Sequence, residues 1–142
     1  MRARARARAP LRGRPWTGTA VRTQVININQ DPLGRQGFRM WGGDLTPAVP
    51  GAPPSPTTTN VWGRTLDDGS WAVVFVNTGA SPANVTCDGE CFSQTGIPLG
   101  TTMHVRDVWR RAALPDFVLG PYTALDVAPG GGVELFRMTP VV

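Results

Sequence analysis

Short apolar segments separated by turn residues dominate the sequence from residue 60 onward. The segment 70–77, SWAVVFVN, is rich in β-branched and aromatic residues and indicates a strand with both faces largely buried. Further segments follow at spacings of about 8–12 residues, which is typical of an antiparallel sandwich or barrel. We therefore predict an all-β fold, an antiparallel β-sandwich with Greek-key character and seven or eight strands.

The predicted strands alternate with glycine- and proline-containing turns. Glycine and proline together supply 31 of the 142 residues, which disfavours a helical protein. Within 101–109 the alternation changes phase at Val108 and Trp109, indicating a bulge or the end of the strand. No βαβ units follow one another, which argues against a Rossmann fold or a complete TIM barrel. The strand segments are 60–66, 70–77, 83–87, 101–109, 117–119, 123–127 and 133–138.

The basic charge is concentrated at the N-terminus. All 14 basic residues are arginine, and seven of them lie in residues 1–22, which contain no acidic residue. Residues 23–142 carry seven arginines against ten acidic residues, a net charge of −3. A nucleic-acid-binding domain needs its basic charge on the folded surface, so we expect no nucleic-acid partner. We assign 1–22 to a disordered basic tail, with a basic arm for nucleic acid or acidic membranes as the alternative.

Two further segments bear on organisation and location. Residues 45–58 contain five prolines and predict an exposed loop. No apolar run approaches the roughly 20 residues needed to cross a bilayer, so we expect no membrane span. The N-terminus has charge but no apolar h-region, so no signal peptide is visible in this chain.

Cys87 and Cys91 are the two cysteines of the chain, in the segment CDGEC. The intervening residues read as a turn that could bring the two side chains to bridging distance. Free thiols remain an alternative, and so does a metal site, although such a site needs about four ligands and His104 is the single histidine. Asn84 begins an N-x-T triplet and is a candidate N-glycosylation acceptor. A disulfide and a glycan would both indicate the secretory route.

Candidate catalytic residues are few. A catalytic triad needs a positioned histidine, and His104 lies in a predicted strand, where a structural or surface role is favoured. Glycosidases use paired carboxylates, but each aspartate here also fits a structural role in a turn, an ion pair or on the surface. Tryptophans could line a sugar groove, although at strand positions they favour the core. The residues considered are Asp67, Asp68, Asp107, Asp116 and Asp126, and Trp41, Trp62, Trp71 and Trp109.

Four segments resemble glycoside hydrolase family 27, the α-galactosidases and α-N-acetylgalactosaminidases. Residues 25–40, VININQDPLGRQGFRM, resemble the family's V-I-A-I-N-Q-D-P-L-G-x-Q-G stretch. In the same order follow VWGRTLDDGSWAVVFVNTG at 61–79, the cysteine segment CDGECF, and VRDVWRRAAL with APGGGVELFRMTP. The resemblance covers about residues 23–140.

The resemblance implies a domain organisation. In the family the first of these segments joins the last helix of a catalytic (β/α)8 barrel to a C-terminal antiparallel β-sandwich. Residues 23–34 would then be the remnant of that helix and its linker, residues 35–142 would be the sandwich, and the two cysteines would be bridged. The residues implied to pack the linker against the barrel are Val25, Ile26, Ile28, Asn29, Gln30, Asp31 and Pro32.

The resemblance also bounds the function. No position matches the family's catalytic motifs, whose aspartates lie on barrel strands, so we expect no catalytic residue, cofactor or metal in this chain. Hydrolysis of terminal α-linked galactose would belong to the complete enzyme, and this chain alone would be inactive. Its partner would be the missing barrel, and an α-galactoside substrate would bind only through that barrel. Formation of a homodimer is an open possibility. The location would be extracellular or lysosomal or vacuolar. The alternative is a free-standing carbohydrate-binding β-sandwich with exposed tryptophans.

Overall fold

The computed structural model describes residues 19–43 and 58–142, which form two antiparallel β-sheets and two helices. Eight strands in these residues confirm the predicted sandwich. In chain order the elements are α1 (Thr19–Asn29), β1 (Phe38–Trp41), β2 (Thr59–Thr65), β3 (Trp71–Asn77), β4 (Ala83–Cys87), α2 (Gly89–Ser93), β5 (Thr102–Asp107), β6 (Ala112–Val118), β7 (Tyr122–Val127) and β8 (Gly132–Pro140). No helix in the described ranges is long and apolar enough to cross a membrane.

The larger sheet has six strands in the order β1-β2-β3-β8-β5-β6, and the smaller sheet pairs β4 with β7. Every pairing is antiparallel. The last strand in chain order, β8, lies in the middle of the large sheet between β3 and β5. This return of a late strand beside an early one is the kind of connection that a Greek key requires.

The core lies between the two sheets and is built around aromatic rings. Phe75, Tyr122 and Phe136 contact one another with ring centroids 5.9, 5.6 and 5.5 Å apart. Such pairs contribute about 0.5–1.5 kcal/mol each beyond the area they bury. Five of the seven residues of β3 are buried, in agreement with the prediction that both of its faces are covered.

The structure corrects several predicted boundaries. Strand β1 was not predicted, and β6 begins at Ala112, five residues before the predicted segment 117–119. Pro115 interrupts the β pattern, but β6 is an edge strand, where a missing N–H donor is tolerated. The phase change at Val108 marks the end of β5, which stops at Asp107. A register shift lies instead between Met103 and Val105.

The cysteine segment forms a short helix, α2, rather than a simple turn. Asp88 precedes the helix, and its side chain accepts a hydrogen bond of 2.9 Å from the backbone N–H of Cys91. This is N-capping, in which an Asp side chain satisfies an amide that has no partner within the helix. Cys87 and Cys91 form a disulfide with a Cα–Cα distance of 5.3 Å, and both residues are buried.

The first helix begins inside the segment assigned to the basic tail. Residues 19–22 belong to α1 rather than to the tail. The helix starts directly after Gly18 and contains neither glycine nor proline, which explains why its backbone can continue without a break. Residues 1–18 and most of the predicted proline-rich loop lie outside the described residues.

Candidate functional site

The large sheet has one face toward the small sheet and one face away from it, here called the outer face. A row of apolar partners crosses the outer face from β2 through β3 to β8. Trp62 pairs with Val74, and Val74 pairs with Leu135. Helix α1 lies on this face, so the outer face is where the segment that resembles the barrel linker meets the sandwich.

Two apolar residues of the predicted linker pack against the sandwich itself. Val25 and Ile28 are three positions apart and therefore lie on the same side of α1. Both pack against a small apolar cluster on the outer face that includes Ala72 and Leu135. Ile26, one position after Val25, points elsewhere on the helix and is 46% exposed. Its packing against a barrel therefore stays a prediction.

An open apolar groove of about 210 Å³ lies between α1 and the strands. Its lining includes Val25 and Ile28 from the helix and Trp62, Val74 and Leu135 from the sheet. Trp62 is 37% exposed at the side of the groove. The helix thus covers only part of the apolar row, and a contiguous apolar surface remains beside it.

Asp31 fastens the linker to the sandwich. Its Oδ1 accepts hydrogen bonds from the backbone N–H groups of Leu33, at 3.1 Å, and Asp67, at 3.0 Å, and its Oδ2 lies 3.1 Å from the Asp67 nitrogen. Asp67 lies in the turn between β2 and β3. The helix ends at Asn29, and Pro32 prevents it from continuing because proline disfavours the α conformation of the residue before it, Asp31. Asp31 thereby couples the turn that follows α1 to the hairpin turn of the sheet.

Two arginines of the outer face bind the helix. Arg64 of β2 donates through a guanidinium nitrogen to the carbonyl oxygen of Asn29, at 3.4 Å. Asn29 is the last residue of α1, where the helix dipole favours a positive charge. Arg106 of β5 donates from Nε to Oε1 of Gln24, at 3.2 Å. The helix is therefore held at both its middle and its C-terminal end by side chains of different strands.

Asp68 and Arg137 form a third polar contact on this side of the sheet. The hydroxyl of Ser70 donates to Asp68, and the guanidinium of Arg137 donates to the same carboxylate and to Ser70 Oγ. The hydrogen bond from the Ser70 hydroxyl has the largest effect and lowers the pKa of Asp68. Burial opposes it, and the backbone hydrogen bond from Ser70 and the charge of Arg137 lower the pKa further. Asp67 and Asp68 are exposed turn residues, as their position before Gly69 predicts.

Asp107 lies at the buried end of β5 and forms the predicted ion pair with a nearby arginine. Its Oδ2 is 2.6 Å from a guanidinium nitrogen of Arg110, which also lies 2.7 Å from Glu134 Oε2. The hydrogen bonds that Arg110 donates to Glu134, and then to Asp107, raise the pKa of Arg110. Burial, followed by the charges of the two carboxylates, raises the pKa of Tyr122. Through Arg110, the cluster connects the turn after β5 with β8 and stabilises the fold at this point.

The remaining candidates lie on the surface of the sandwich. His104 Nδ1 is 2.6 Å from Asp116 Oδ1, and both side chains are about half exposed or more. Asp126 is exposed on β7. The five candidate aspartates thus occur in a hairpin turn, at the end of β5, on β6 and on β7, and none of these positions is in the apolar groove beside α1.

The four tryptophans do not form one platform. Trp71 is 8% exposed and contacts Phe38 edge-on, with ring centroids 5.9 Å apart. Trp109 packs with the apolar cluster under α1, and Trp41 packs against the main core. Of these four, Trp62 is exposed, whereas the other three are partly or fully buried. The sequence pattern did not indicate which tryptophan would face outward, nor that Arg64 and Arg106 would bind the helix.

The chain matches known protein families over most of its described length. Residues 57–138 match the family model of the alpha galactosidase C-terminal beta sandwich domain. The chain is 27% identical over 120 residues to a probable alpha-galactosidase of Dictyostelium discoideum, covering 83% of this chain and 27% of that protein. It is 33% identical over 89 residues to an alpha-galactosidase of Cyamopsis tetragonoloba, covering 63% of this chain and 18% of that protein.

Solved structures give the same result for the fold. The crystal structure of alpha-galactosidase I from Mortierella vinacea superposes with a TM-score of 0.64 and 25% identity, over 82% of this chain and 26% of that chain. The alfa-galactosidase of Saccharomyces cerevisiae gives a TM-score of 0.63 at 17% identity, over 82% of this chain and 35% of that chain. This chain spans about a quarter or less of the length of the curated relatives it matches. The chain belongs to the family of α-galactosidase C-terminal β-sandwich domains.

Proposed function

We propose that this chain supplies the docking domain of a longer family 27 glycoside hydrolase and contributes no catalytic group of its own. The observation that carries the proposal is the outer face. Arg64 and Arg106 bind α1 there and Asp31 binds the linker that follows it, while Trp62 beside the helix and Ile26 on the helix remain exposed. An apolar surface next to a fixed connecting helix supports a neighbouring domain as its partner. The partner proposed is the (β/α)8 catalytic barrel of the same enzyme.

The reaction proposed for the complete enzyme is hydrolysis of terminal α-linked galactose. A retaining mechanism needs two carboxylates about 5–5.5 Å apart, one acting as nucleophile and one as acid and base. The aspartates of the described sandwich occupy turn, ion-pair and surface positions instead. The carboxylates that act on the sugar would therefore be on the barrel, and the sandwich would act by packing against the barrel's apolar flank.

The first experiment measures turnover. The isolated chain is expected to leave a chromogenic α-galactoside unhydrolysed, because the candidate aspartates occupy turn, ion-pair and surface positions. A chimera in which residues 23–142 replace the corresponding C-terminal region of the Cyamopsis tetragonoloba enzyme is expected to hydrolyse the same substrate. Turnover by the isolated chain that persists through repeated purification would contradict the proposal, and so would a correctly folded but inactive chimera.

A free-standing sugar-binding module is the second candidate, and the exposed Trp62 is the observation that favours it. Aromatic stacking on a sugar ring would give saturable heats when galactose is titrated into the chain. We expect flat heats at millimolar sugar, because Trp62 lies in an apolar groove shared with α1. Saturable heats that Trp62→Ala removes would favour the binding module instead.

The secretory route is proposed for the complete protein, with an extracellular or a lysosomal or vacuolar destination. The disulfide between Cys87 and Cys91 supports it, because such bonds persist in oxidising compartments. Thiol titration of the unfolded, unreduced protein purified from its native source is expected to find no free thiol. Two free thiols per chain would contradict this location.

A further inference from the structure

The small sheet carries a sequence signal on its outward side that the docking proposal does not use. Asn84-Val85-Thr86 is the single N-x-S/T triplet in the 142 residues. The triplet lies within β4, where the side chains alternate between buried and exposed. Asn84 and Thr86 are both exposed, and Val85 between them is buried. The two residues that a glycosyl transfer would use therefore face solvent together.

The hydrogen bonds of Asn84 leave the reactive atom of its side chain available. Its Oδ1 accepts a hydrogen bond of 3.0 Å from the backbone N–H of Asp126 on the neighbouring strand. Because a backbone N–H can only donate, the oxygen is the atom that faces Asp126 and the nitrogen is the atom that faces away. Glycosylation takes place on that nitrogen, and the contact through the oxygen is compatible with it.

The hydroxyl of the triplet is also held in place. Thr86 Oγ1 lies 2.8 Å from Thr123 Oγ1 across the β4–β7 pair. Near both threonines and Asn84, Leu125 on β7 is 68% exposed, among the most exposed large apolar side chains described. A single exposed leucine is ordinary on a protein surface, so Leu125 serves here as a marker of the surface that a glycan on Asn84 would cover.

We propose that Asn84 carries an N-linked glycan that covers the outward side of the β4–β7 sheet and shields Leu125. The Nδ2 of Asn84 forms a bond to the anomeric carbon of an oligosaccharide. The bond from that carbon to the phosphate oxygen of a lipid-linked pyrophosphate donor breaks, and the pyrophosphate leaves with the proton that Nδ2 loses. The remaining N–H of the amide and its Oδ1 stay in place. This modification is independent of the docking role of the opposite sheet.

The test uses the full chain secreted from a eukaryotic host behind a cleavable leader. Intact mass is expected to show one glycan per chain, and an endoglycosidase is expected to remove it. Asn84→Gln and Thr86→Val should each be secreted without the glycan, whereas Thr86→Ser should keep it because the hydroxyl remains. Circular dichroism of the variants confirms that each is folded. An unmodified wild-type chain, from cells that glycosylate a control protein secreted beside it, would overturn the proposal.

The covering role has its own measurement. The enzymatically deglycosylated chain is expected to bind more of an apolar fluorescent dye than the glycosylated chain does. Leu125→Ser is expected to abolish that difference, because the apolar surface that the glycan covered is then gone. Equal dye binding before and after deglycosylation would overturn the covering role even where the glycan is present.

Discussion

At the scale of single residues, Asp31 shows how one side chain of a linker can set the position of a whole segment. The NQDPLG stretch combines a helix end, a turn and this carboxylate in six residues. Proline and glycine shape the turn, whereas the side chain of the aspartate contacts a distant element, the β2–β3 hairpin. A family resemblance can mark such a residue, whereas its partner, 36 positions away, is visible only in the structure.

Replacing Asp31 by alanine is expected to release the linker from the hairpin turn. The loss removes the acceptor of the Leu33 and Asp67 amides, and we expect about 1 kcal/mol of destabilisation, typical for a side chain that caps backbone amides. Hydrogen exchange of the Leu33 and Asp67 amides provides the measurement. Asp31→Asn keeps one acceptor oxygen and serves as the matched control. Unchanged protection of both amides in Asp31→Ala would show that the contact does not hold the linker.

Asp68 gives a prediction of pH dependence. Because the hydrogen bonds from Ser70 lower its pKa in the folded chain, its carboxylate contributes stability above the unfolded value of about 4, and this contribution is lost as the pH falls through the folded value. The side chain is half exposed and screened by solvent, so Asp68→Asn is expected to cost only about 0.5 kcal/mol at pH 7. Urea unfolding at pH 7 and at acidic pH measures the difference.

The cost of Asp68→Asn should shrink toward zero under acidic conditions, where the wild-type carboxylate is also neutral. The neighbouring substitution Asp67→Asn is the control for a change of charge in the same turn. A cost that is the same at both pH values would mean that the carboxylate's charge does not produce the effect.

At the scale of elements, the residue pattern alone did not predict the helix α1, whereas the family resemblance implied it. The segment VININ fits a buried strand as well as a helix, and the choice depends on the sheet beneath it. By contrast, β3 begins one residue from its predicted start and β4 has its predicted bounds, because turn residues bracket both. Strand β6 was predicted too short because Pro115 interrupts the run of strand-forming residues. Proline is tolerated in an edge strand, but the edge position of β6 is known only from the strand order.

The docking of α1 can be tested at two isoleucines of the helix that are two positions apart. Ile28→Ala is expected to cost about 1 kcal/mol in the free energy of unfolding, roughly half the cost for a fully buried isoleucine, since Ile28 is partly buried against the outer face. Ile26→Ala removes the same atoms from an exposed position and is expected to stay within about 0.5 kcal/mol of wild type. Urea unfolding of the isolated chain compares the two. Equal costs would show that α1 does not dock through Ile28.

At the scale of the whole molecule, the two sheets have different surroundings. The large sheet presents an apolar row with a helix fastened across it, whereas the small sheet presents polar residues and a single exposed leucine, Leu125. The sequence indicated a sandwich and a linker. The alternation of apolar and polar residues along a strand does not show, however, which of the two sheets the strand belongs to. The assignment of the docking face to β2, β3 and β8 therefore required the strand order.

The two sides should respond differently to the same substitution in the active chimera. Trp62→Asp places a charge in the proposed contact with the barrel. We expect it to shorten the half-life of activity at elevated temperature about tenfold, because a change of that size corresponds to the loss of one well-buried apolar contact. Leu125→Asp, on the opposite sheet, is expected to leave the half-life within about twofold of the parent. Activity assayed after timed heating gives the comparison. Similar half-lives for the two variants would mean that the barrel does not pack on Trp62.

The central position of β8 has a consequence for synthesis of the protein. Strands β1, β2 and β3 are made first and β5 and β6 later, yet neither group can join the other until residues 132–140 have left the ribosome. Until then each group has an unpaired edge next to the gap that β8 will fill, and such edges recruit other strands. Chaperone demand during translation should therefore be greatest in the interval between the completion of β3 and the emergence of β8.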